Sequence, residues 1–147
     1  MRAAATLETL FSEAVASGKT GLEKVTAIGN TYVRFYTEYP LQFKILSIKH
    51  HGSAEKGGPY REEIEKHGSG IFTLMVQSFT LGQKDRTIRK DIDPAMASLH
   101  VMSVSNGILE LVTEAEGRFE ERFGMSAQDF IHHSLRLIGD SIKVQKK

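Results

Sequence analysis

Histidine is the residue type in this sequence best suited to chemistry, because it binds metals and moves protons near neutral pH. The chain has six histidines and no cysteine. His50–His51 and His132–His133 are adjacent pairs, and neighbouring side chains on a helix point in different directions, so each pair is a poor joint metal ligand. Glu63 and His67 are four residues apart and can share one helical face, but no third ligand accompanies them. We therefore predict a solvated pair there and no metal site.

The acidic residues form no catalytic pattern either. Asp91 and Asp93 are two residues apart, but Asp93 directly precedes Pro94 and is better explained as the N-cap of a helix. Asp91 is expected to pair with Arg89 inside the same loop. The patterns His-Glu-x-x-His and Gly-x-Ser-x-Gly and a phosphate-binding glycine loop are absent from the sequence. We predict that the protein is not an enzyme, with no catalytic residues and no cofactor.

The composition fits one globular domain of 147 residues, with 40% hydrophobic and 25% charged residues. The formal net charge is +1, whereas a dedicated nucleic-acid binder usually carries a basic excess or a basic stripe. No apolar run approaches the roughly 20 residues that a membrane-spanning helix needs, and the start does not resemble a signal peptide. We predict a single soluble, cytoplasmic domain over residues 1–147, without a membrane partner.

Apolar residues recur mostly at spacings of three and four, which is the period of a helix with one buried face. Thr20 and Glu23 form a capping-box pattern, and the step Tyr39–Pro40 predicts a bend between two helices. The sequence shows no strand-like alternation. We predict an all-α fold of about six helices, over approximate residues 3–17, 20–39, 40–49, 59–81, 94–116 and 126–142.

The helix predicted after Pro94 is apolar on two sides, as expected of a helix that is buried on both. In a domain of this size, the second side most simply faces a partner subunit. One side carries Ala95, Leu99, Met102, Leu109 and Val112, and the other carries Val101, Val104, Ile108 and Leu111.

Three segments of the chain resemble TetR-type transcriptional regulators. Residues 83–94, QKDRTIRKDIDP, are similar to the loop before that family's penultimate helix. There an Ile-Arg-x-Asp-x-Asp-Pro pattern precedes a helix with a Gly-Ile-Leu segment, here residues 107–109. Residues 21–40 are similar to the family's first sensor helices, which bend at a Tyr-Pro or His-Pro step. The last helix, residues 130–138, is similar in place and type, so the resemblance covers nearly the whole chain.

The resemblance implies a domain that senses a ligand and dimerises. The last two long helices of each subunit would form a four-helix bundle across a two-fold axis, and the earlier helices would enclose a mostly apolar pocket for a small-molecule effector. The expected homodimer interface comprises Val101, Val104, Ile108, Leu111, Ile131, Leu135 and Ile138. The expected ligand-binding residues are Tyr32, Phe35, Tyr36, Phe43, Phe72, Met75, Phe79, Met102 and Asn106. Helical spacing alone would instead make the aromatic residues ordinary core.

The sequence departs from the family in one large respect, since TetR-type regulators begin with a helix-turn-helix domain that is missing here. Residues 1–17 would correspond to the connector after that head, so a truncated chain is favoured over a natural headless relative. We expect no DNA binding by this chain alone. Two other functions stay open: a helical interaction domain that dimerises with other regulators, and a cofactor-binding bundle such as a haem globin, with His100 as the axial candidate.

Overall fold

The computed structural model describes residues 2–51 and 59–146, except the side chains of residues 2, 47–51, 59–61, 63 and 64. The described residues form seven helices and no strand, which confirms the predicted all-α class. Six helices match the predicted ones, and α6 is a five-residue addition between the fifth and sixth of them. The helices are α1 (Arg2–Ser17), α2 (Gly21–Glu38), α3 (Pro40–His51), α4 (Pro59–Lys84), α5 (Pro94–Glu114), α6 (Phe119–Phe123) and α7 (Ala127–Ile142).

The core is organised around α4, which packs against α1, α2 and α5. Ile71, Met75 and Phe79 repeat every four positions on α4, so they line one face of the helix, and all three are buried. The neighbouring helices and the α4–α5 connection complete this core with Leu7, Phe11, Val25, Ile28, Phe35, Phe43, Ile88, Val101, Leu109 and Val112.

The start of α2 is a capping box, as the sequence predicts. Thr20 Oγ1 accepts a hydrogen bond from Glu23 N at 3.1 Å. The Glu23 carboxylate accepts from Lys19 N at 2.7 Å and from Thr20 N at 3.2 Å, and these two bonds lower the pKa of Glu23. The Thr20 side chain therefore satisfies the N–H of Glu23 in the first turn of α2, and the Glu23 side chain holds the two residues before the helix.

The remaining N–H groups at the start of α2 are held by the α4–α5 connection. Gly21 N donates to Asp85 Oδ2 at 2.8 Å, and Leu22 N donates to Thr87 Oγ1 at 3.1 Å. These bonds bring α2 so close to the end of α4 that a Cβ on Gly21 would lie 2.0 Å from Gly82 N. Only glycine fits at this crossing without a shift of the backbone.

The α4–α5 connection lies within one of the three segments that resemble TetR-type regulators, and side chains of that segment hold it. Gln83 Nε2 donates hydrogen bonds to the carbonyl oxygens of Arg89 at 3.1 Å and of Ile92 at 2.7 Å. The Arg89 guanidinium donates two bonds to the Asp91 carboxylate, at 2.6 and 2.5 Å, as predicted, and this pairing lowers the pKa of Asp91. Asp93 accepts a bond from the first turn of α5 at 2.8 Å, which confirms the predicted N-cap.

α5 and α7 pack against each other, and α5 also packs on α4. Ser98, Ser105 and Leu109 belong to the buried face of α5, while its opposite face is exposed. Among the described helices, α5 is the one whose length and composition would allow it to cross a membrane. This is weak evidence, because a core helix of a soluble protein passes the same test.

Candidate ligand-binding site

The predicted ligand-binding residues divide into two groups in the structure. Phe35, Phe43, Met75 and Phe79 have at most 2% of their surface exposed, so they are fully packed core residues in this conformation. Tyr32, Tyr36, Phe72, Met102 and Asn106 are partly exposed. The role of both groups in ligand binding stays a prediction, and the second group is the one whose side chains still have open surface.

An aromatic cluster joins the first three helices next to this open surface. The Tyr32 ring on α2 lies 6.0 Å from the Phe11 ring of α1 and 5.8 Å from the Phe43 ring of α3. Tyr36 meets Phe43 edge to face at 5.1 Å. Such ring pairs are favourable beyond the area they bury. The cluster therefore forms a rigid apolar wall, with the Tyr32 hydroxyl as the polar group of its central ring.

The Tyr32 hydroxyl links α2 to α5 through one short hydrogen bond. It donates to Asn106 Oδ1 at 2.5 Å, across 74 residues of sequence. Burial raises the pKa of Tyr32 well above its usual value, and the negative charge of Glu110, one turn beyond Asn106, raises it further. The hydroxyl is therefore neutral at any physiological pH and always has a proton to donate. This pair can orient one oxygen or nitrogen atom of an otherwise apolar ligand.

Tyr32 also borders a small internal gap between α2, α5 and α7. The gap measures about 10 Å³ and shares Gly29, Ser105 and Leu135 with a larger groove on its outer side. That groove, called here the α2–α7 groove, has a volume of about 380 Å³. Its wall is formed by Leu22, Val25, Thr26, Gly29, Asn30, Val101, Ser105, His132, Leu135, Arg136, Ile138, Gly139, Asp140, Ile142 and Lys143.

The sequence did not indicate the α2–α7 groove. Three of its wall residues, Val101, Leu135 and Ile138, were predicted as interface residues. His132 and Arg136 carry no pattern that separates a groove wall from an ordinary solvated face. Helical period shows which residues share a side of a helix, but it does not show that two helices stand apart.

The predicted interface residues lie partly inside the subunit. Val101 and Ile131 are only 7% and 6% exposed, because the chain itself covers them. Val104, Ile108, Leu135 and Ile138 are half-buried, and Leu111 is 37% exposed. The apolar side chains that α5 and α7 leave open are Met96, Leu99, Leu111 and Leu137.

The histidines give no metal site in the part of the chain that the structure describes. There, no three His, Asp or Glu side chains are grouped so that they could hold a metal ion. His67 is half-buried and pairs with Glu8 of α1, and its predicted pairing with Glu63 stays a prediction. The Glu63 side chain and those of His50 and His51 lie outside the described residues. His100, the haem candidate, is exposed on α5.

We compared the sequence and the helix arrangement of this chain with those of known proteins. No protein-family model matches the sequence, and no curated protein sequence matches it significantly. The structure is similar to the ketosteroid transcriptional regulator KstR2 of Mycobacterium tuberculosis, with a TM-score of 0.76, 14% identity, and coverage of 97% of this chain and 68% of that one.

Two further regulators show the same similarity. A TetR transcriptional regulator from Chloroflexus aurantiacus matches with a TM-score of 0.73 and 16% identity, over 98% of this chain and 70% of that one. The MbdR regulator from Azoarcus sp. CIB matches with a TM-score of 0.71 and 16% identity, over 97% and 75%. The resemblance predicted from sequence is therefore confirmed at the level of the fold: this chain has the fold of TetR/AcrR-type transcriptional regulators.

Proposed function

We propose that this chain is the effector-sensing and homodimerising domain of a TetR-type transcriptional regulator that acts in the cytoplasm. The observation that carries the proposal is the fold, which aligns with KstR2 over 97% of this chain while spanning 68% of that regulator. We infer that a helix-turn-helix head contacts DNA. α1, which corresponds to the predicted connector, would join that head to this domain. By itself this chain, with a net charge of +1, is not expected to bind an operator.

The effector site proposed here is the space beside the Tyr32–Asn106 pair. An apolar ligand would lie against the aromatic cluster, and its single polar atom would bind the Tyr32 hydroxyl or the Asn106 amide. Tyr36, Phe72 and Met102 are partly exposed and would complete the pocket. Methionine suits such a site because its flexible thioether adapts to different ligand shapes.

Homodimerisation is proposed through the open face of α5, defined by Met96, Leu99, Ser103, Gly107 and Leu111. These residues follow the helical period, and all five are exposed. Leu137 of α7, which is 57% exposed, lies on the side of that helix opposite the groove residue Gly139. An exposed apolar stripe with small residues at its centre fits a second helix packed closely against it.

The two sites share one helix, and this gives the sensor a physical route. Asn106 is directly beside Gly107, so a ligand that changes the Tyr32–Asn106 bond acts on the helix that meets the partner subunit. A small rotation or shift of α5 would alter the angle between the two subunits. We propose that a change in this angle changes the spacing of the two DNA-binding heads of the full regulator.

The proposed effector site is tested with apolar cyclic ketones of one, two and three rings, because a ketone oxygen accepts a hydrogen bond from the Tyr32 hydroxyl. At least one of these compounds should raise the melting temperature of the wild type. The rise should be lost in Tyr32→Phe, which removes the donor, and kept in Thr37→Ala, an exposed change on the same helix as Tyr32. A series that leaves the wild type unchanged, or a rise that is undiminished in Tyr32→Phe, would contradict the proposed site.

A further inference from the structure

The α2–α7 groove is a separate feature from the aromatic cluster, and its floor and walls are mostly apolar. Val25 on α2, Val101 on α5 and Ile142 at the end of α7 are buried residues that border it. With a volume of about 380 Å³, the groove lies within the range of about 300–1,000 Å³ that small-molecule sites occupy. It is large enough for a small organic molecule.

The floor of the groove contains one polar group without a protein partner. Ser105 is 8% exposed, and its hydroxyl forms no hydrogen bond with any described residue. Every fully enclosed side-chain nitrogen or oxygen among the described residues has a hydrogen-bond partner. Because the Ser105 oxygen has none, it is not fully enclosed, and Ser105 borders both the groove and the small gap beside Tyr32. A nearly buried hydroxyl that points into a cavity marks a place where a molecule in that cavity can bind.

The rim of the groove carries positive charge on α7. Lys143 Nζ donates to Asp140 Oδ1 at 2.5 Å, so these two charges neutralise each other. The Arg136 guanidinium has no ion pair with any described residue. His132 is one turn before Arg136, and both side chains border the groove. The charge left at the rim therefore favours an anion, and a guanidinium binds a carboxylate through two hydrogen bonds.

We propose that the α2–α7 groove binds a small carboxylate with an apolar body. The carboxylate lies against Arg136 and His132, and the apolar body extends over Val25, Val101 and Leu135. The Ser105 hydroxyl at the floor can donate to an oxygen on that body. The groove shares Gly29, Ser105 and Leu135 with the gap beside Tyr32, but the carboxylate contacts at Arg136 and His132 do not depend on the proposed effector site.

The test uses octanoate as the probe and amide NMR shifts of the full chain as the readout. Octanoate should give saturable shifts at Gly29, Ser105 and Gly139, all of which border the groove. Octylamine, which has a similar chain and the opposite charge, should bind at least tenfold more weakly. Arg136→Gln should weaken octanoate binding about tenfold or more, the effect expected for loss of a charge-assisted hydrogen bond.

Two further variants test whether octanoate occupies the groove itself. Gly139→Leu should block octanoate binding, because Gly139 borders the groove and a Cβ added there meets no other atom within 4 Å, so the new side chain has open space to enter. His133→Gln is the matched control, since His133 is exposed next to His132 but does not border the groove. It should bind octanoate as the wild type does. Absence of saturable shifts, or binding that Arg136→Gln and Gly139→Leu leave unchanged, would overturn the proposal.

Discussion

The Tyr32–Asn106 hydrogen bond is the residue-scale feature on which the proposed sensor depends. Its two members lie on helices that are far apart in sequence, and the Tyr32 ring packs against the Phe11 and Phe43 rings. A buried polar group that loses its partner costs more than the bond itself contributes. The two side chains should therefore act together. Replacement of either one should lower the free energy of unfolding, and replacement of both should lower it by less than the sum of the two single effects.

A double-mutant cycle tests this coupling. Tyr32→Phe and Asn106→Leu should each lower the free energy of unfolding by about 1–3 kcal/mol. The double variant should lose less than the sum of the two, by about 0.5–3 kcal/mol. Urea unfolding at one fixed protein concentration measures these values, because the stability of the proposed dimer would depend on concentration.

The matched control for this cycle is Tyr36→Phe. Tyr36 lies one turn along the same helix and packs on the same Phe43 ring, but its hydroxyl forms no hydrogen bond with a described residue. Its loss should change the free energy of unfolding by no more than about 0.5 kcal/mol. Strictly additive effects in the Tyr32 and Asn106 cycle would show that the two side chains do not act together.

At the scale of elements, the junction of α2 with the α4–α5 connection decides how the helices are arranged. Gly21 and Gly82 allow the two backbones to touch, and Asp85 and Thr87 then cap α2. Burial is the largest single effect on the pKa of Asp85 and raises it. The hydrogen bonds from Thr87 and Gly21 together outweigh burial, so the pKa is lowered below its usual value. The junction thus keeps this carboxylate ionised and holds α2 against α4.

Replacement of Gly21 tests the importance of this junction. Gly21→Ala places a methyl group against backbone that cannot move aside cheaply, so the free energy of unfolding should fall by at least about 1–3 kcal/mol. Gly139→Ala is the control, because Gly139 is also helical but an added Cβ meets nothing. It should raise stability by about 0.4–1 kcal/mol. Thermal or urea unfolding gives both numbers, and equal effects at the two glycines would refute the close crossing.

Most of the elements could be predicted from sequence, because their signals are local. The capping box at Thr20, the bend at Pro40 and the N-cap at Asp93 each depend on residues within four positions of one another. α6 was missed because five residues are too few to show a helical period. The loop pairing of Arg89 with Asp91 was predicted for the same reason that the caps were: its partners are neighbours in the chain.

The site was less predictable, because it depends on contacts between distant segments. Tyr32 and Asn106 were each named as ligand-binding residues, but their mutual hydrogen bond spans 74 residues and leaves no local pattern. The two apolar sides of α5 were recognised, yet period alone could not show that Val101 faces the chain's own core and that Leu99 is open. A helix face that is buried by its own chain and one that is buried by a partner subunit both consist of apolar residues, so the sequence pattern does not distinguish them.

At the scale of the whole molecule, the central claim is that two copies of the chain associate through the open face of α5. The exposed apolar residues of that face have no partner among the described residues of one copy, and the fold is that of TetR/AcrR-type regulators. An unpaired charge introduced at the centre of such an interface is strongly unfavourable. Because the changed side chain is exposed in the single subunit, the subunit itself should still fold.

The measurement that tests this claim most directly is sedimentation equilibrium of the wild type, Leu99→Arg and Leu41→Arg. Leu41 lies on α3 and is 73% exposed, which makes it a matched control outside the proposed interface. We predict a dimeric wild type, a dimeric Leu41→Arg, and a folded Leu99→Arg whose dimer dissociation constant is about a hundredfold higher or more. A wild type that stays monomeric at every concentration, or a Leu99→Arg dimer as tight as the wild type, would contradict the proposed interface.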